Sequence, residues 1–489
     1  RFRVETPNPL VYCGGTYPTK GAGLPLIAMM PEPVVTVKST LLTGPTGPMP
    51  TCALWGNRKP AADDGNWATA KALLSGDNVV TVLPNAELLP GLYTVTIVTN
   101  ARTVRWSFTV DPAAATGVMP PAMVSRAASA STFSPMTPFR FADTRKNLRV
   151  TPLLAGVPKR IKIGGIAGIS TSATALSANF TVVGSSGTGA LTIYNCSTWP
   201  PTTPNFTFTK NQVVGNATVS PLSSSTSSIG GGYLCLYSPV NTQVVIDVTG
   251  FFTASNKGQH YTAVPPSTLA RTAIAANTTR HLSTASLNLP ADTTAVAINV
   301  TTGRGNGFVT AFGCGAPRPL ALTVNPRSDT ARQNFAIVPL LPNKTLCIYS
   351  LTNLAVRVDV VGYFSATGGT HLSPSVVTRI TDTADTFQPL MNLGASANTI
   401  PAGTTHTLQL AGQRGLPADV KAIEVSVTAS QQAAAGTITV WGGDCTVQPA
   451  VATVTFPANT PVTNTAQVDL GSTGTLGVRS TTNSRVTID

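Results

Sequence analysis

The chain is 489 residues long, a length that predicts about three or four domains. Only 10% of its residues are charged, against about 25% in an ordinary globular protein, and the abundance of Thr, Ser, Gly and Pro predicts an all-β protein rather than long helices. The net charge of +13 is scattered, which argues against a nucleic-acid partner, and no apolar run is long enough to predict a membrane span.

The region before residue 133 predicts an arm, one domain and a linker. Residues 1–33 are interrupted by prolines and predict an irregular arm. Further on, two alternating segments around Tyr93 and Trp106 predict a hairpin whose inward face carries the large side chains. This hairpin resembles the closing hairpin of bacterial immunoglobulin-like domains, which implies an immunoglobulin-like β-sandwich over residues 34–111. Residues 112–132, rich in Ala, Ser and Pro, predict a linker.

Three copies of one β-rich repeat follow the linker: copy one spans residues 133–253, copy two 262–365 and copy three 372–489. The copies align along a first strand, a second strand that a Cys follows, a third strand that begins with Asn, and a closing strand. The first strand lies at residues 175–182, 295–302 and 422–429, and the Asn of the third strand is Asn216, Asn334 and Asn464. This spacing predicts a β-sandwich or jelly-roll-like domain for each copy.

The seven cysteines follow the same pattern. None lies in a Cys-x-x-Cys motif and the four histidines are isolated, so disulfides are favoured over zinc sites. The predicted pairs are Cys196 with Cys235, Cys314 with Cys347, and Cys13 with Cys52. In copy three Gly477 replaces the second partner, which leaves Cys445 as an unpaired thiol; a free thiol is favoured over an intermolecular disulfide.

The predicted disulfides also bear on localisation, because such bonds need an oxidising compartment. The chain begins at Arg1 rather than at a Met, which is compatible with a signal peptide that has been removed. We therefore expect a secreted, extracellular or cell-surface protein.

Short motifs open and close the copies. Copy one opens with Arg-Phe-Ala-Asp-Thr-Arg at residues 140–145 and closes with Asp-Val-Thr-Gly-Phe-Phe at residues 247–252. Copy three keeps the opening Arg and Asp, whereas copy two has Thr268 and Arg271 at these positions. One carboxylate per copy provides neither a metal cage nor a catalytic pair, so a structural role for Asp143 is favoured.

These motifs together resemble the tandem repeats of secreted actinobacterial surface proteins. Those repeats combine an Arg-x-x-Asp-Thr-Arg opening, a Cys-x-Tyr strand and a Val-x-Asp-Val-x-Gly-Tyr-Phe close. The resemblance covers residues 133–489, with departures at the opening of copy two and the close of copy three. It implies a surface-exposed accessory module, often beside peptidase or amidase domains, without catalytic residues or an established ligand.

A search for chemistry in the sequence favours a non-enzymatic protein. Nucleophile elbows, HExxH and P-loop motifs are absent, and we expect neither a cofactor nor a metal. Asp-Asp-Gly-Asn at residues 63–66 is a weak calcium candidate that is more often a plain turn. Trp199, in a Ser-Thr-Trp-Pro-Pro loop, is the best candidate for a sugar contact, although a Trp that only covers its loop is favoured.

These observations predict a non-catalytic structural subunit of an extracellular or cell-surface assembly, such as a filament, sheath or surface layer, that associates with itself or with other surface proteins. Two alternatives stay open: a secreted cell-wall or glycan-binding adhesion module, and a virion fibre or decoration protein. A narrower hypothesis is that the closing strand of copy three is incomplete and that residues 1–5 of a neighbouring subunit complete it by strand addition.

Overall fold

A computed structural model of the chain has an all-β fold. It describes residues 9–14, 25–62, 67–76, 78–86, 88–110, 130–196, 200–201, 203–227, 229–255, 257–375, 377–383, 399–413, 416–443 and 445–489. Strands account for 53% of the structure and helices for 4%. The described strands form eight antiparallel sheets, which confirms the prediction of an all-β protein with several domains.

The described residues divide into two units, the first comprising Arg1–Ala122 with Thr226–Ile229 and the second Met123–Ser225 with Gly230–Asp489. The described strands of the first unit are β1 (Leu26–Met29), β2 (Val37–Gly44), β3 (Gly47–Met49), β4 (Thr51–Trp55), β5 (Val79–Pro84), β6 (Gly91–Thr99) and β7 (Thr103–Val110). They form two sheets, ordered β1-β5-β4 and β3-β2-β6-β7. Along β6, alternate residues such as Tyr93 and Ile97 point into the core between these sheets.

Two elements of the first unit differ from the sequence prediction. Strand β1 lies inside the segment 1–33, which was expected to be irregular; it pairs with β5 because Leu26 and Ala28 alternate into the core. A helix, α1 (Trp67–Gly76), occupies a segment with several Ala, Leu and Lys residues, which favour helix. At ten residues, α1 is too short to cross a bilayer, and no other described helix is long or apolar enough to do so. Most of the predicted linker lies outside the described residues.

The second unit contains the three copies. In copy one the strands are β8 (Thr132–Asp143), β9 (Lys159–Lys162), β10 (Ala173–Val183), β11 (Gly189–Tyr194), β12 (Phe206–Phe208), β13 (Val214–Pro221), β14 (Tyr233–Tyr237) and β15 (Gln243–Thr253). In copy two they are β16 (His260–Ile274), β17 (Thr278–Ser283), β18 (Thr293–Thr302), β19 (Val309–Gly313), β20 (Arg332–Pro339), β21 (Thr345–Ser350) and β22 (Leu354–Ser365). In copy three they are β23 (Thr381–Asp382), β24 (Thr405–Gln409), β25 (Ala422–Ser430), β26 (Gly436–Gly442), β27 (Val454–Phe456), β28 (Val462–Asp469), β29 (Thr475–Ser480) and β30 (Arg485–Ile488).

The copies share one topology, in which two sheets enclose an apolar core. The inner sheets are ordered β8-β15-β10-β13, β16-β22-β18-β20 and β23-β30-β25-β28. The outer sheets are ordered β9-β14-β11-β12, β17-β21-β19 and β24-β29-β26-β27. Each copy has its own cluster of buried apolar side chains between these sheets.

In copy one, the inner-sheet strand β10 is buried on both faces. In β10, Leu176 and Phe180 point into the core of copy one, as alternation requires. The intervening side chains Ser177, Asn179 and Thr181 are polar, yet each is less than 5% exposed. An isolated sandwich would expose this polar face to water, so its burial indicates that another part of the protein covers it.

Candidate functional site at the interfaces between the copies

The polar faces of the inner sheets lie against one another through the three aligned asparagines. Between copies one and two, Asn334 Nδ2 donates to Asn179 Oδ1 at 2.8 Å. The Asn334 Oδ1 atom accepts from the backbone N–H of Ala217 at 3.0 Å. Its amide is therefore used on both sides, and it fixes the register of β20 against β13.

Asparagine contacts also occur at the other two interfaces, although their hydrogen bonds differ from those of Asn334. Between copies two and three, Asn464 Nδ2 donates to Asn299 Oδ1 at 3.3 Å. Between copies three and one, Asn216 Oδ1 accepts from Thr465 N at 3.2 Å, and its Nδ2 donates to Thr465 Oγ1 at 3.0 Å. Copy three has Ser426 where the other copies have Asn, which explains why Asn216 uses the threonine hydroxyl instead.

These contacts arrange the copies in a closed ring with approximate threefold symmetry, because each copy contacts the next through equivalent surfaces. The asparagines of the ring are almost completely buried; Asn216 and Asn334 are each 1% exposed. Among the described residues, Asn464 Oδ1 is the ring amide oxygen without a hydrogen-bond partner. The sequence signal for the ring was an Asn at the same place in an apolar strand of every copy, although no role was predicted for it.

Aromatic side chains add an apolar zone to the interface between copies one and two. The ring of Phe133 lies 4.6 Å from that of Phe364, and Phe252 lies 6.3 Å from the same ring. A side chain on Gly250 would place its Cβ 2.4 Å from the Phe133 ring. The glycine of the closing motif therefore leaves the space in which Phe133 of β8 lies directly over the closing strand β15.

The opening and closing motifs of copy one form a single ion-pair cluster. Arg140 donates through Nε and Nη2 to the two carboxylate oxygens of Asp247 at 2.5 and 3.2 Å, and its Nη1 lies 3.4 Å from Asp143. Asp143 also accepts from the backbone and side chain of Arg145, at 3.1 and 2.8 Å. The hydrogen bond from Arg145 lowers the pKa of Asp143, whereas burial raises the pKa of Asp247.

Copy three repeats this cluster. Arg379 pairs with Asp489 and lies 3.0 Å from Asp382, the aspartate of its opening motif. Arg485 completes the arrangement, donating to Asp382 at 2.8 and 3.0 Å. Burial raises the pKa of Asp489 to about 6.

Copy two compensates for its altered opening motif with a different arginine. Thr268, at the position of Arg140, donates its hydroxyl to Asp359 at 2.7 Å. Arg357, two residues before Asp359 in the closing strand β22, donates to the same carboxylate oxygen at 2.8 Å. No prediction from the sequence included Arg357, although it is the basic residue of β22 and lies two residues before the closing aspartate. In all three copies, these motif aspartates therefore have structural partners.

The structure pairs the cysteines as predicted, two pairs from the repeat alignment and the third from the two cysteines that remained before residue 133. Disulfides join Cys196 to Cys235, Cys314 to Cys347, and Cys13 to Cys52, with Cα–Cα distances of 5.0, 5.1 and 6.1 Å. In copies one and two the bridge ties the loop after β11 or β19 to the neighbouring strand β14 or β21. It therefore fastens the outer sheet rather than the interface between the copies.

Copy three fills the place of its missing bridge with an indole. Cys445 is free and only 7% exposed, with its thiol 3.5 Å from the carbonyl oxygen of Gly443. Trp441 stands where the other copies have Tyr194 and Phe312. A Cβ on Gly477 would lie 2.8 Å from the Trp441 ring and 3.1 Å from the Cβ of Cys445. The burial of the Cys445 thiol disfavours its use in an intermolecular disulfide.

Two other candidates from the sequence, Trp199 and the segment 63–66, lie outside the described residues. Within the described residues, one group of three potential metal ligands comes together: His281, Cys314 and Cys347, whose ligand atoms lie within 4.8 Å of one another. The two sulfurs are bonded to each other, so the imidazole is the only one of the three that offers a free ligand atom.

Comparison with protein-family models finds no match to this chain, and comparison with curated proteins finds none either. The similarity of the opening and closing motifs to actinobacterial surface repeats therefore stays a prediction. What the structure itself defines is a protein in which three sandwich copies bury their polar faces against one another.

Proposed function

We propose that the chain is a non-catalytic structural subunit of an extracellular or cell-surface assembly. The observation that carries this proposal is the closed ring of copies. Three sandwiches on one polypeptide bury their polar faces against one another, which gives a trimer-like block with no need for association between chains. Such a block has a fixed shape and presents its outer sheets outward, as a building unit requires.

The chemistry of the buried groups supports a structural role. Asp143, Asp247 and Asp382 are each held by arginines, and Glu424 accepts hydrogen bonds from Thr218 and Val219 of copy one. Carboxylates with such partners stabilise contacts within the protein rather than act on a substrate. The three disulfides favour an oxidising, extracellular location.

Electron microscopy and sedimentation of the purified full chain at rising concentration test this function. We expect a regular filament or lattice, and labelling of native cells with an antibody should place the same lattice outside the membrane. A chain that stays monomeric at all concentrations and instead sediments with purified cell wall would contradict the proposal and support the adhesion alternative. Assembly only together with viral particles would support the virion alternative.

A further inference from the structure

The three interfaces of the ring are equivalent in design, but two of them differ in the space that they leave. At the interface between copies one and two the remaining cavity measures about 20 Å³. At the equivalent interface between copies two and three there is a cleft of about 430 Å³. A volume of this size holds on the order of fourteen water molecules at about 30 Å³ each. Val447, which is 80% exposed, lines the cleft, so it reaches the protein surface.

We call the interface between copies one and two the closed interface, and the one between copies two and three the open interface. A difference between two matched residues, Leu322 and Ala452, accompanies the difference in space. Leu322 and Ala452 occupy equivalent positions, because each precedes a threonine whose hydroxyl accepts from the neighbouring strand. In the closed interface the backbone N–H of Leu322 donates to Asp247 at 2.9 Å, and Leu322 lines the small remaining space. In the open interface the smaller Ala452 stands at this place, and Asp359 Oδ2, which matches the acceptor oxygen of Asp247, has no partner.

Copy two holds the Ala452 segment in another way. The side chain of Gln333 donates to the carbonyl oxygen of Ala452 at 2.8 Å. Copy one has Gly215 at the position of Gln333, so it has no side chain there that could make this contact with Leu322. Ala452 is thus held through its carbonyl oxygen, whereas Leu322 is held through its backbone N–H. This different attachment accompanies the open space beside Ala452.

The walls of the cleft are mostly apolar. One wall carries Val264 and two consecutive prolines of β16, and the other carries Val451, Val468 and Trp441. Among the described residues, no Lys, Arg or His lines the cleft, and its acidic residue there, Asp469, accepts from the backbone N–H of Gly471 at 2.9 Å. An anionic ligand would therefore find no countercharge, and the carboxylate of Asp469 is already engaged by a backbone N–H, whereas an apolar body would be removed from water.

Three lining residues carry polar atoms without a partner. Asn464 Oδ1 and Gln467 Oε1 are acceptors, and Trp441 Nε1 is a donor. Asn464 is 2% exposed and Trp441 is 5% exposed, so these side chains are almost completely buried and their polar atoms have no hydrogen-bond partner within the protein. Burying a polar group without a hydrogen-bond partner carries a free-energy cost. A bound molecule that both donates and accepts a hydrogen bond would remove part of this cost.

We propose that this cleft is a binding site for a neutral, largely apolar small molecule that carries a hydroxyl or amide group. The apolar walls hold its body, and its polar group donates to Asn464 or Gln467 and accepts from Trp441. Pockets of roughly 300–1,000 Å³ with apolar walls and a few fixed polar groups are the usual form of small-molecule sites.

The test uses the full chain and the neutral fluorescent probe N-phenyl-1-naphthylamine, which has one N–H donor. We expect saturable binding at one site per chain. We expect 1-decanol to displace the probe at least tenfold better than decyl methyl ether, which keeps the apolar body but cannot donate a hydrogen bond. Equal displacement by both compounds would overturn the proposed hydrogen bonding.

A reciprocal pair of variants locates the site. Ala452→Leu places in the open interface the residue that the closed interface has, and we expect probe affinity to fall at least tenfold with the thermal midpoint unchanged or higher. Leu322→Ala is the matched control. It leaves the cleft between copies two and three intact, so we expect the affinity for the probe to be retained. Undiminished binding to folded Ala452→Leu, or loss of binding in folded Leu322→Ala, would place the probe elsewhere and overturn the proposal.

Discussion

Copies one and three have the same two sheets but stabilise them differently. Copy one fastens its outer sheet with the Cys196–Cys235 disulfide, whereas copy three has a lone Cys445 and fills the space with Trp441. Both copies nevertheless keep the buried arginine–aspartate pair between their opening and closing strands. The comparison indicates that the ion pair belongs to the shared framework of the fold, while the disulfide is one of two ways to complete the outer sheet.

The largest effect is expected when the shared ion pair is broken. Arg140→Ala leaves Asp247, which is 1% exposed, without its cation, and such a loss costs about 3–5 kcal/mol. Arg379→Ala in copy three should cost a similar amount if the pair plays the same role in both copies. Urea unfolding of the full chain, with hydrogen exchange in β15 and β25 as local readouts, measures both.

A control for this prediction replaces the buried charge as well. Adding Asp247→Asn to Arg140→Ala should recover part of the lost stability, because the uncompensated carboxylate is then gone. If Arg140→Ala destabilised copy one while Arg379→Ala had no effect on copy three, the ion pair would not be part of a shared framework.

The next largest effect is expected when the disulfide of copy one, which copy three lacks, is removed. Replacing Cys196 and Cys235 together by Ala opens a loop with a sequence separation of 39 residues. Chain entropy then predicts a loss of about 3–4 kcal/mol. Cys445→Ala in copy three is the matched control, and we expect it to change the free energy of unfolding by less than about 1 kcal/mol. Comparable losses in both variants would show that the thiol, not the bridge, is the stabilising group.

The reverse change should convert copy three to the arrangement of copy one. Gly477→Cys by itself is expected to fail, because its Cβ would meet the Trp441 ring at 2.8 Å. Combined with Trp441→Phe, which gives the residue found at this position in copy two, it should form a disulfide with Cys445 and stabilise the chain by about 2 kcal/mol. Loss of the free thiol in a labelling assay, and peptide mapping under non-reducing conditions, check the bond.

Two outcomes separate the explanations for the engineered bond. A disulfide that forms equally well in the single variant Gly477→Cys would mean that the indole does not occupy the missing partner's space. A double variant that folds but keeps two free thiols would mean that the outer sheet of copy three differs in geometry from that of copy one.

Features that repeat along the chain were the ones that could be predicted from sequence. The alternation in residues 175–182 and its counterparts predicted the strands, and the position of Cys196 relative to Cys235 predicted the bridge that the structure contains. Helix α1 was missed because Gly and Pro residues on both sides obscured a short helical segment. The arm prediction overlooked β1 because four residues give too weak an alternation to detect.

The candidate site was out of reach for a different reason. The polar residues Ser177 and Asn179 alternate with apolar ones in β10, as in a strand with one solvent-exposed face. No local signal in the sequence shows that another copy covers that face. Its burial depends on contacts between residues more than 100 positions apart, such as the one between Asn334 and Asn179. The cleft depends on a difference between equivalent residues, Leu322 and Ala452, which has meaning only after the copies are superposed.

The smallest effect concerns a charge that copy three places where copy one has Ser177. Glu424 accepts from Val219 N at 2.7 Å and Thr218 Oγ1 at 2.9 Å, and burial raises its pKa above the usual 4.5. The folded chain therefore binds this proton more tightly than the unfolded chain does. The stabilisation of the fold that comes from protonated Glu424 is complete below about pH 4.5 and is lost as the pH rises through the raised pKa.

Glu424→Gln should remove this pH dependence and stabilise the chain at pH 7 by on the order of 1 kcal/mol. The new amide keeps one oxygen for Val219 and Thr218. Its nitrogen replaces Glu424 Oε2, which accepts from Gln467 Nε2 at 2.9 Å. When the Gln467 amide turns over, its Oε1, which has no partner in the structure, can accept from this nitrogen. Urea unfolding between pH 4 and 8 measures the difference, with Glu424→Ala as the control that leaves Val219 N–H without an acceptor and should destabilise the chain at every pH. Parallel curves of unfolding free energy against pH for the wild type and Glu424→Gln would show that the protonation of Glu424 does not change on folding. The interface between copies three and one would then accommodate the charged carboxylate without loss of stability.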